Sequence, residues 1–178
     1  MTPRIATFHP FLSESEFSEL KAEIAAAAFA PRGADPTDAG EAWLHDPGQW
    51  AKSMDAAAAS YAETCFGRKA DEKTSVLCTR YETGQFCPEH TDHYIRNGSS
   101  VMHRTASAIL CAHPADAGGE LVISNPAKTS TFEIFLQENQ LVLFPADCWH
   151  QVLSVIKGQR RAIVRWYADS NGKRFRSE

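Results

Sequence analysis

The 178-residue sequence predicts an α+β fold that is mainly β: a double-stranded β-helix (jelly roll) with an N-terminal helical layer. Two observations predict it. Apolar residues recur at helical spacing in the first 70 residues, whereas residues 74–167 alternate short β-rich runs with turn residues, as sandwiches and barrels do. A chain of this length forms one domain with one core. We therefore expect a single domain over 1–178, with helical support in 1–70, the jelly-roll core in 74–167 and a polar tail in 168–178.

The first predicted elements are a short strand over Arg4–His9 and a helix. Ser13 and Glu16 have the spacing of a capping box, in which each side chain satisfies a free backbone N–H of the first helical turn. The apolar residues that follow at helical spacing are Phe17, Leu20, Ile24 and Ala28.

The segment Phe29–Gln49 is rich in glycine, proline and aspartate and is predicted to be a loop, a long connection of the kind that is often functional. A second helix is predicted from about Gly48 to Phe66, with Gly67 as its C-terminal stop. We interpret its apolar face, which includes Trp50, as core packing. The alternative is that Trp43 and Trp50, with residues 33–49, form a lid over a site, and the sequence leaves this open.

The predicted strands of the second half are separated by turn residues such as Gly118-Gly119 and Asn125-Pro126. They are Val76–Tyr81, Ala106–Ala112, Leu121–Ser124, Thr131–Phe135, Leu141–Phe144, Val152–Val155 and Arg161–Tyr167.

The composition is that of an ordinary soluble protein, with 43% hydrophobic and 22% charged residues. The net charge of −4 gives no reason to expect a nucleic-acid partner, because such proteins carry a basic patch. The chain shows neither a signal-peptide pattern nor a membrane span, so we expect a cytoplasmic protein with no membrane partner. Five scattered cysteines without a CxxC pair predict free thiols rather than a disulfide framework or a zinc site.

A metal site is predicted from His90, Asp92 and His150. Residues two apart on a strand project to the same face, so His90 and Asp92 can reach one point, and His150 follows a later predicted strand. Two imidazoles and one carboxylate leave three octahedral positions open, which is the arrangement of non-haem iron(II) oxygenases. An HxD pair alone is a weak signal in a chain with 7 histidines.

The arginine ten positions after His150 strengthens the metal hypothesis. The planar guanidinium of Arg160 can hold a carboxylate of a dicarboxylate co-substrate through two hydrogen bonds. Arg160 and Arg161 point to opposite faces of a strand, so only one of them is expected to face the pocket.

The ordered set of motifs from Tyr81 to Trp166 resembles the prolyl-4-hydroxylase-like branch of the iron(II)- and 2-oxoglutarate-dependent dioxygenases. The motifs that carry the resemblance are Arg80–Phe86, His90-Thr91-Asp92, Arg104, Gly118–Leu121, Leu143-Phe144-Pro145, His150-Gln151-Val152, Val155, Gly158, Arg160 and Trp166.

The resemblance implies that His90, Asp92 and His150 are catalytic ligands of Fe(2+), that Arg160 binds the distal carboxylate of 2-oxoglutarate and that Tyr81 lines the co-substrate pocket. It also implies an O2-dependent hydroxylase that acts on an unactivated C–H bond of a small molecule, amino acid or peptidyl residue and releases succinate and CO2.

The sequence indicates the substrate-binding residues less specifically than the metal ligands. Arg96, His103 and Arg104 are candidates for binding an acidic or carboxylated substrate. Demethylation or desaturation by the same chemistry, a non-catalytic jelly-roll binding module, and a cupin-like metalloenzyme that does not use 2-oxoglutarate remain alternatives. The substrate and the oligomeric state are not readable from the sequence.

Overall fold

The part of the chain that the structure describes folds into two helices and three sheets of antiparallel strands. The computed structural model describes residues 4–33, 35, 38–67, 69–97 and 100–170, with the backbone alone described in 94–97 and 100–103. In chain order the elements are β1 (Ala6–Phe8), α1 (Glu14–Ala26), β2 (Ala30–Pro31), β3 (Gly40–Leu44), α2 (Trp50–Phe66), β4 (Glu72–Lys73), β5 (Val76–Glu82), β6 (Cys87–His90), β7 (Tyr94–Asn97), β8 (Ser100–His113), β9 (Ala117–Gly118), β10 (Leu121–Ser124), β11 (Thr131–Ile134), β12 (Leu141–Pro145), β13 (Trp149–Val152), β14 (Val155–Lys157) and β15 (Gln159–Ala168).

The two predicted helices are confirmed, and their ends follow the predicted local signals. The Ser13 hydroxyl accepts from the Glu16 N–H at 3.4 Å, and the Glu16 carboxylate accepts from the Ser13 N–H at 3.0 Å, which completes the capping box of α1. α1 ends at Ala26, so the predicted core residue Ala28 lies beyond the helix and is exposed. α2 stops at Gly67, which adopts the left-handed conformation (φ +59°) that glycine accommodates without strain.

The sheets form a sandwich with the helices on one outer face. In the large sheet the path of paired strands is β1-β12-β8-β15-β5-β3-β2, with β4 also paired to β15 and β7 to β8. The small sheet has the order β11-β10-β13-β6, and β14 pairs with β9 in a two-stranded sheet. This arrangement confirms the mainly β prediction with an added helical layer.

The large sheet is buried on both faces, which explains its nearly continuous apolar runs. On β12, Leu141 and Leu143 pack against the core under the two helices, whereas Val142 and Phe144 belong to the cluster that includes small-sheet residues. On the neighbouring β8, Leu110 lies with the helix-side cluster. Because successive side chains of a strand alternate in direction, one strand serves both cores.

Three secondary-structure predictions are corrected by the structure. The predicted loop Phe29–Gln49 contains β2 and β3, because β3 pairs with β5 along its whole length despite the turn-rich residues before it. The predicted strand Val152–Val155 is two strands, β13 and β14, which pair with different partners. β6 and β7 were not predicted, and β8 begins at Ser100 rather than at Ala106.

The described part of the chain holds no helix that combines the length and the apolar character needed to cross a membrane. Of the predicted tail 168–178, residues 171–178 lie outside the described residues.

Candidate active site

His90 and His150 face each other because two strands of the small sheet bring them into register. His90 ends β6, His150 lies in β13, and the two residues are direct antiparallel partners. Their ring centroids are 4.2 Å apart. The edge of the Phe144 ring lies against His150, with a centroid distance of 4.8 Å. The strand pairing thus places two imidazoles at one point of the sandwich interior.

Asp92 joins the two histidines from the loop that follows β6. Its backbone N–H donates to the carbonyl of Ala146 at 2.8 Å, which ties the loop to the turn between β12 and β13. Its Oδ2 lies 3.2 Å from His150 Nε2, and its Oδ1 lies 3.6 Å from His90 Nε2. One ligand atom from each of the three residues lies within 4.8 Å of the others. The donor set fits a single non-haem iron(II) ion, as predicted from the sequence.

Backbone carbonyls select which nitrogen of each imidazole faces the cluster. His90 Nδ1 lies 2.9 Å from the carbonyl of Pro88, and His150 Nδ1 lies 3.2 Å from that of Cys148. A hydrogen on Nδ1 satisfies each carbonyl, so Nε2 is the nitrogen directed at Asp92 and at a metal. Metal ligands often have such support, since it fixes the orientation of the ring.

Two further buried side chains, those of Ser107 and Arg104, contact the carboxylate of Asp92. The Ser107 hydroxyl donates to Oδ2 at 2.8 Å, and Arg104 Nη1 lies 3.6 Å from Oδ1. Burial alone would raise the pKa of Asp92, but the contact with His150 and the hydrogen bond from Ser107 outweigh it and keep that pKa below its usual range. Asp92 is therefore an anion ready to bind a cation.

The site has a closed side and an open side. The side chains of Asp92 and His150 are each 6% exposed, whereas that of His90 is 36% exposed. Burial alone would lower the pKa of His90, but the contact with the Cys87 thiol outweighs it and raises the pKa to about 9. Metal ions and protons compete for the same histidine nitrogens, so metal binding here releases protons.

Arg160 lies inside the sandwich with an unused hydrogen-bond donor. It is 2% exposed, it pairs in register with Tyr81, and its guanidinium carbon is 5.6 Å from the Tyr81 ring centroid. Its Nη2 is buried without a hydrogen-bond partner among the described residues. A buried cationic donor without a partner is costly, so this atom is expected to meet an anionic ligand. Burial raises the pKa of Tyr81, which keeps the phenol as a neutral donor.

The Arg160 side chain is linked to the histidines through one small cluster. Tyr81 and Cys87 belong to the same buried group, and Cys87 Sγ lies 3.8 Å from His90 Nδ1. The neighbouring strand places the buried Cys111 thiol near Arg160, and burial raises the pKa of that thiol to about 11 against the opposing charge of the arginine. The predicted metal ligands, Arg160 and Tyr81 therefore share one region of the fold.

Two consecutive glycines allow close packing beside Arg160. Gly118 and Gly119 have φ of +72° and +73°, a region that side chains rarely adopt. A Cβ on Gly119 would lie 3.1 Å from Arg160 Cδ, and one on Gly118 would lie 2.3 Å from the carbonyl oxygen of Ser154. Steric crowding at both positions thus explains why glycines occupy this turn.

The predicted substrate residues are only partly described. Arg104 is buried beside Asp92, with its guanidinium carbon 4.0 Å from the centroid of the Trp166 ring. The side chains of Arg96 and His103 lie outside the described residues. Trp50, the first residue of α2, is fully buried, which confirms its interpretation as core. Trp43 is exposed on β3, with its ring centroid 6.4 Å from that of Trp166.

Three further side chains at the site were not predicted as site residues. Ser107 holds Asp92, Cys87 contacts His90, and Arg32 Nη1 donates to Cys87 Sγ at 3.4 Å. Burial alone would raise the pKa of Cys87, but its contacts with His90 and Arg32 lower it. The one available sequence signal was the position of Cys87 three residues before His90, since Ser107 and Arg32 come from distant segments.

Comparisons with known proteins agree with this geometry. A PKHD-type hydroxylase from Shewanella baltica is 34% identical over 93 residues, which cover 51% of this chain and 41% of that protein. A PKHD-type hydroxylase from Gluconacetobacter diazotrophicus is 34% identical over 95 residues with the same shares. The matched segment is thus less than half the length of these relatives.

Solved structures share the fold. A prolyl-4-hydroxylase from Pseudomonas putida superposes with a TM-score of 0.74 at 20% identity, covering 94% of both chains. A prolyl hydroxylase from Trichoplax adhaerens, in complex with a peptide fragment of the hypoxia inducible factor oxygen degradation domain, gives a TM-score of 0.72 at 19% identity and covers 96% of this chain and 86% of that one. This likeness confirms the predicted double-stranded β-helix.

A family model matches residues 76–168, more than half of the chain, and the match includes all three predicted metal ligands, Tyr81 and Arg160. The chain belongs to the 2OG-Fe(II) oxygenase superfamily.

Proposed function

We propose that this protein is an iron(II)- and 2-oxoglutarate-dependent dioxygenase that hydroxylates an unactivated C–H bond of a small molecule, amino acid or peptidyl residue. The observation that carries the proposal is the convergence of His90, Asp92 and His150 in one cluster within the family match. Bound iron(II), with 2-oxoglutarate and O2, would supply the oxidation: one oxygen atom of O2 would enter the substrate, and the other would enter the succinate that forms as 2-oxoglutarate loses CO2.

Each of the three metal ligands is oriented by another group of the protein. His90 and His150 present Nε2 atoms whose rings are fixed through Nδ1 by backbone carbonyls. Asp92 brings the negative charge, and the Ser107 hydroxyl holds one of its oxygens in place. With these three protein ligands, a bound ion would keep coordination positions free for the co-substrate.

Arg160 is proposed to bind the distal carboxylate of 2-oxoglutarate. Its Nη2, which has no partner among the described residues, and the neighbouring Tyr81 hydroxyl offer donors on two buried side chains. Charge-assisted hydrogen bonds are strongest in such surroundings. The same atom argues against a non-catalytic binding module and against a metalloenzyme that needs no dicarboxylate, because neither requires a buried arginine with a free donor.

Arg104 is proposed to contribute to substrate binding from its buried position beside Asp92. The Asp92 oxygen that it approaches, Oδ1, is also the one that faces the exposed His90. An acidic group of a substrate that enters beside His90 would meet this guanidinium. The same role stays a prediction for Arg96 and His103. A peptide substrate is supported by the peptide-bound prolyl hydroxylase of the same fold.

We propose that residues 1–178 act as one dioxygenase domain. β1 and β3 come from the predicted helical support yet pair with β12 and β5 of the large sheet. The cytoplasm is the proposed location, supported by five cysteines that are all free thiols.

The experiment that tests the function starts from metal-free protein under anaerobic conditions. Addition of iron(II) and 2-oxoglutarate should produce the weak visible charge-transfer band of the chelate. Admission of O2 with candidate amino acids, prolyl peptides and small acids should then release succinate. The His150→Ala variant is the control and should give neither signal. Wild-type protein that shows no band and no succinate would refute the proposal.

A further inference from the structure

A basic cleft lies on the helix side of the large sheet, where α1 approaches the ends of β8 and β15. Its volume is about 210 Å³, and its lining residues are Lys21, Ile24, Ala112, His113, Gln159 and Arg161. Drug-sized ligands occupy pockets of about 300–1,000 Å³. The cleft therefore suits a compact ligand. Arg161 and Arg160 are neighbours on one strand, so the cleft and the proposed co-substrate pocket lie on opposite faces of the sheet.

A β-bulge directs His113 into this cleft. Arg161 pairs with His113, but the next residue of β15, Ala162, pairs with Cys111, so Ala112 is the extra residue of β8. Strict alternation would have placed His113 on the same face as Cys111, which packs between the sheets. The bulge instead puts Ala112 and His113 opposite Arg161, and both line the cleft. Bulges commonly re-aim a side chain next to functional sites.

Arg161 brings a positive charge to the cleft. Its Nε donates to the Gln159 side-chain oxygen. Among the residues that the structure describes, no acidic side chain forms an ion pair with Arg161, and no carboxylate lines the cleft. The outward atoms of the guanidinium thus remain available to a ligand.

Two acidic side chains, Glu82 and Glu138, contact residues of the cleft lining. Glu82 accepts from the Gln159 side-chain amide at 2.6 Å and lies 3.3 Å from Arg80 Nε. Glu138 lies 3.8 Å from Lys21 Nζ in a surface pair whose members are both about half exposed. Such exposed pairs are weak, so Lys21 can turn to a competing anion at little cost. In a chain of net charge −4, the positive charges of Arg161 and Lys21 beside His113 in one concavity mark a local anion-attracting site.

We propose that this cleft binds a compact dianion. Arg161 offers two parallel donors that match a phosphate or a carboxylate, Lys21 adds a mobile positive charge, and His113 adds a ring N–H. Inorganic phosphate and a short dicarboxylate share this chemistry. The site is separate from the metal cluster, so it stands whether or not the proposed oxidation is correct.

Calorimetric titration of the full, metal-free chain tests the site. Phosphate and succinate are titrated separately, both in an Arg160→Ala background so that the co-substrate pocket does not contribute. We expect saturable binding of one anion and a loss of roughly tenfold or more in affinity with Arg161→Gln, because a charge-assisted hydrogen bond is removed. Lys21→Met should reduce affinity less, since it removes one exposed charge.

Lys157→Gln is the matched control. It also removes one positive charge, from an exposed side chain of β14 that pairs with Asp116 outside the cleft lining. Affinity that falls in Arg161→Gln but not in Lys157→Gln supports the site, and the tighter of the two anions identifies the ligand chemistry. If neither anion binds saturably, or if Arg161→Gln and Lys21→Met both bind as well as their parent, the proposal is wrong. Phosphate titrations in the wild-type background keep the test valid if Arg160→Ala does not fold.

Discussion

The two histidines of the metal site are partners in one strand register, yet their surroundings differ. His150 lies inside β13, is 6% exposed and packs against Phe144. His90 ends β6, is 36% exposed and is supported on the inner side by Cys87. One half of the site is therefore built into the core, and the other half is open to solvent. From this difference we expect an ion to be anchored from the interior and ligands to enter beside His90.

The largest expected effect comes from the buried half. His150→Ala and Asp92→Ala should each abolish succinate release, because each removes a ligand that nothing else can replace inside the packed sandwich. Iron content and coupled succinate formation measure this. Circular dichroism of the metal-free variants shows whether each still folds. Wild-type turnover by either folded variant would overturn the ligand assignment.

Rescue of succinate release by imidazole tests whether the different exposure of the two histidines has a functional effect. In His90→Gly, added imidazole should restore part of the succinate release. The His90 side chain is 36% exposed, so its removal leaves a volume that is open to solvent. In His150→Gly the same imidazole should restore much less, because that position is closed. Equal rescue of the two variants would show that burial does not distinguish the two ligands.

Arg160 is buried like His150, and its replacement should affect the binding of 2-oxoglutarate alone. Arg160→Ala should raise the KM for 2-oxoglutarate by roughly 10- to 150-fold, as expected for the loss of a charged hydrogen bond worth about 1.5–3 kcal/mol. Iron affinity should change little. Arg161→Ala on the opposite face is the matched control and should leave the KM at the wild-type value. The reverse result would assign the co-substrate to Arg161.

Ser107 is expected to give the smallest of these effects. Ser107→Ala removes one hydrogen bond to Asp92 without touching the ligand itself, and residues that support metal ligands typically contribute 10- to 100-fold in affinity or activity. Iron titration should show the loss, whereas Ser107→Thr, which retains a hydroxyl, should recover part of it. If both variants bind iron equally, the hydroxyl does not position Asp92.

The sequence predicted much of this site because the relevant patterns are local. The alternation of Arg160 and Arg161 follows from strand geometry and needed no knowledge of the fold. The short spacing of His90 and Asp92 identified both residues, although Asp92 lies in the loop after β6 and not on the strand assumed from the sequence. The capping box at Ser13 and the glycine stop at Gly67 are equally local, and both helices were predicted.

What the sequence did not reveal depends on pairing between distant segments. β6 contains Pro88 and Glu89 and has no β-like pattern, and it is a strand because it pairs with β13. Ser107 reaches Asp92 from β8, and Arg32 reaches Cys87 from a segment predicted to be a loop. The direction of His113 is set by a bulge, which alternation along a single strand cannot predict.

The register between His90 and His150 has one more consequence. These residues are 60 positions apart in the chain, and an ion held by both would close that loop as a cross-link does, at the seam between two strands of the small sheet. Any ion that binds only the folded chain also adds to its stability, by about 2.7 kcal/mol at a concentration 100 times the Kd. We expect the metal-loaded protein to resist heat and proteolysis better than the metal-free chain. Iron supply would then control how long each molecule survives as well as how fast it works.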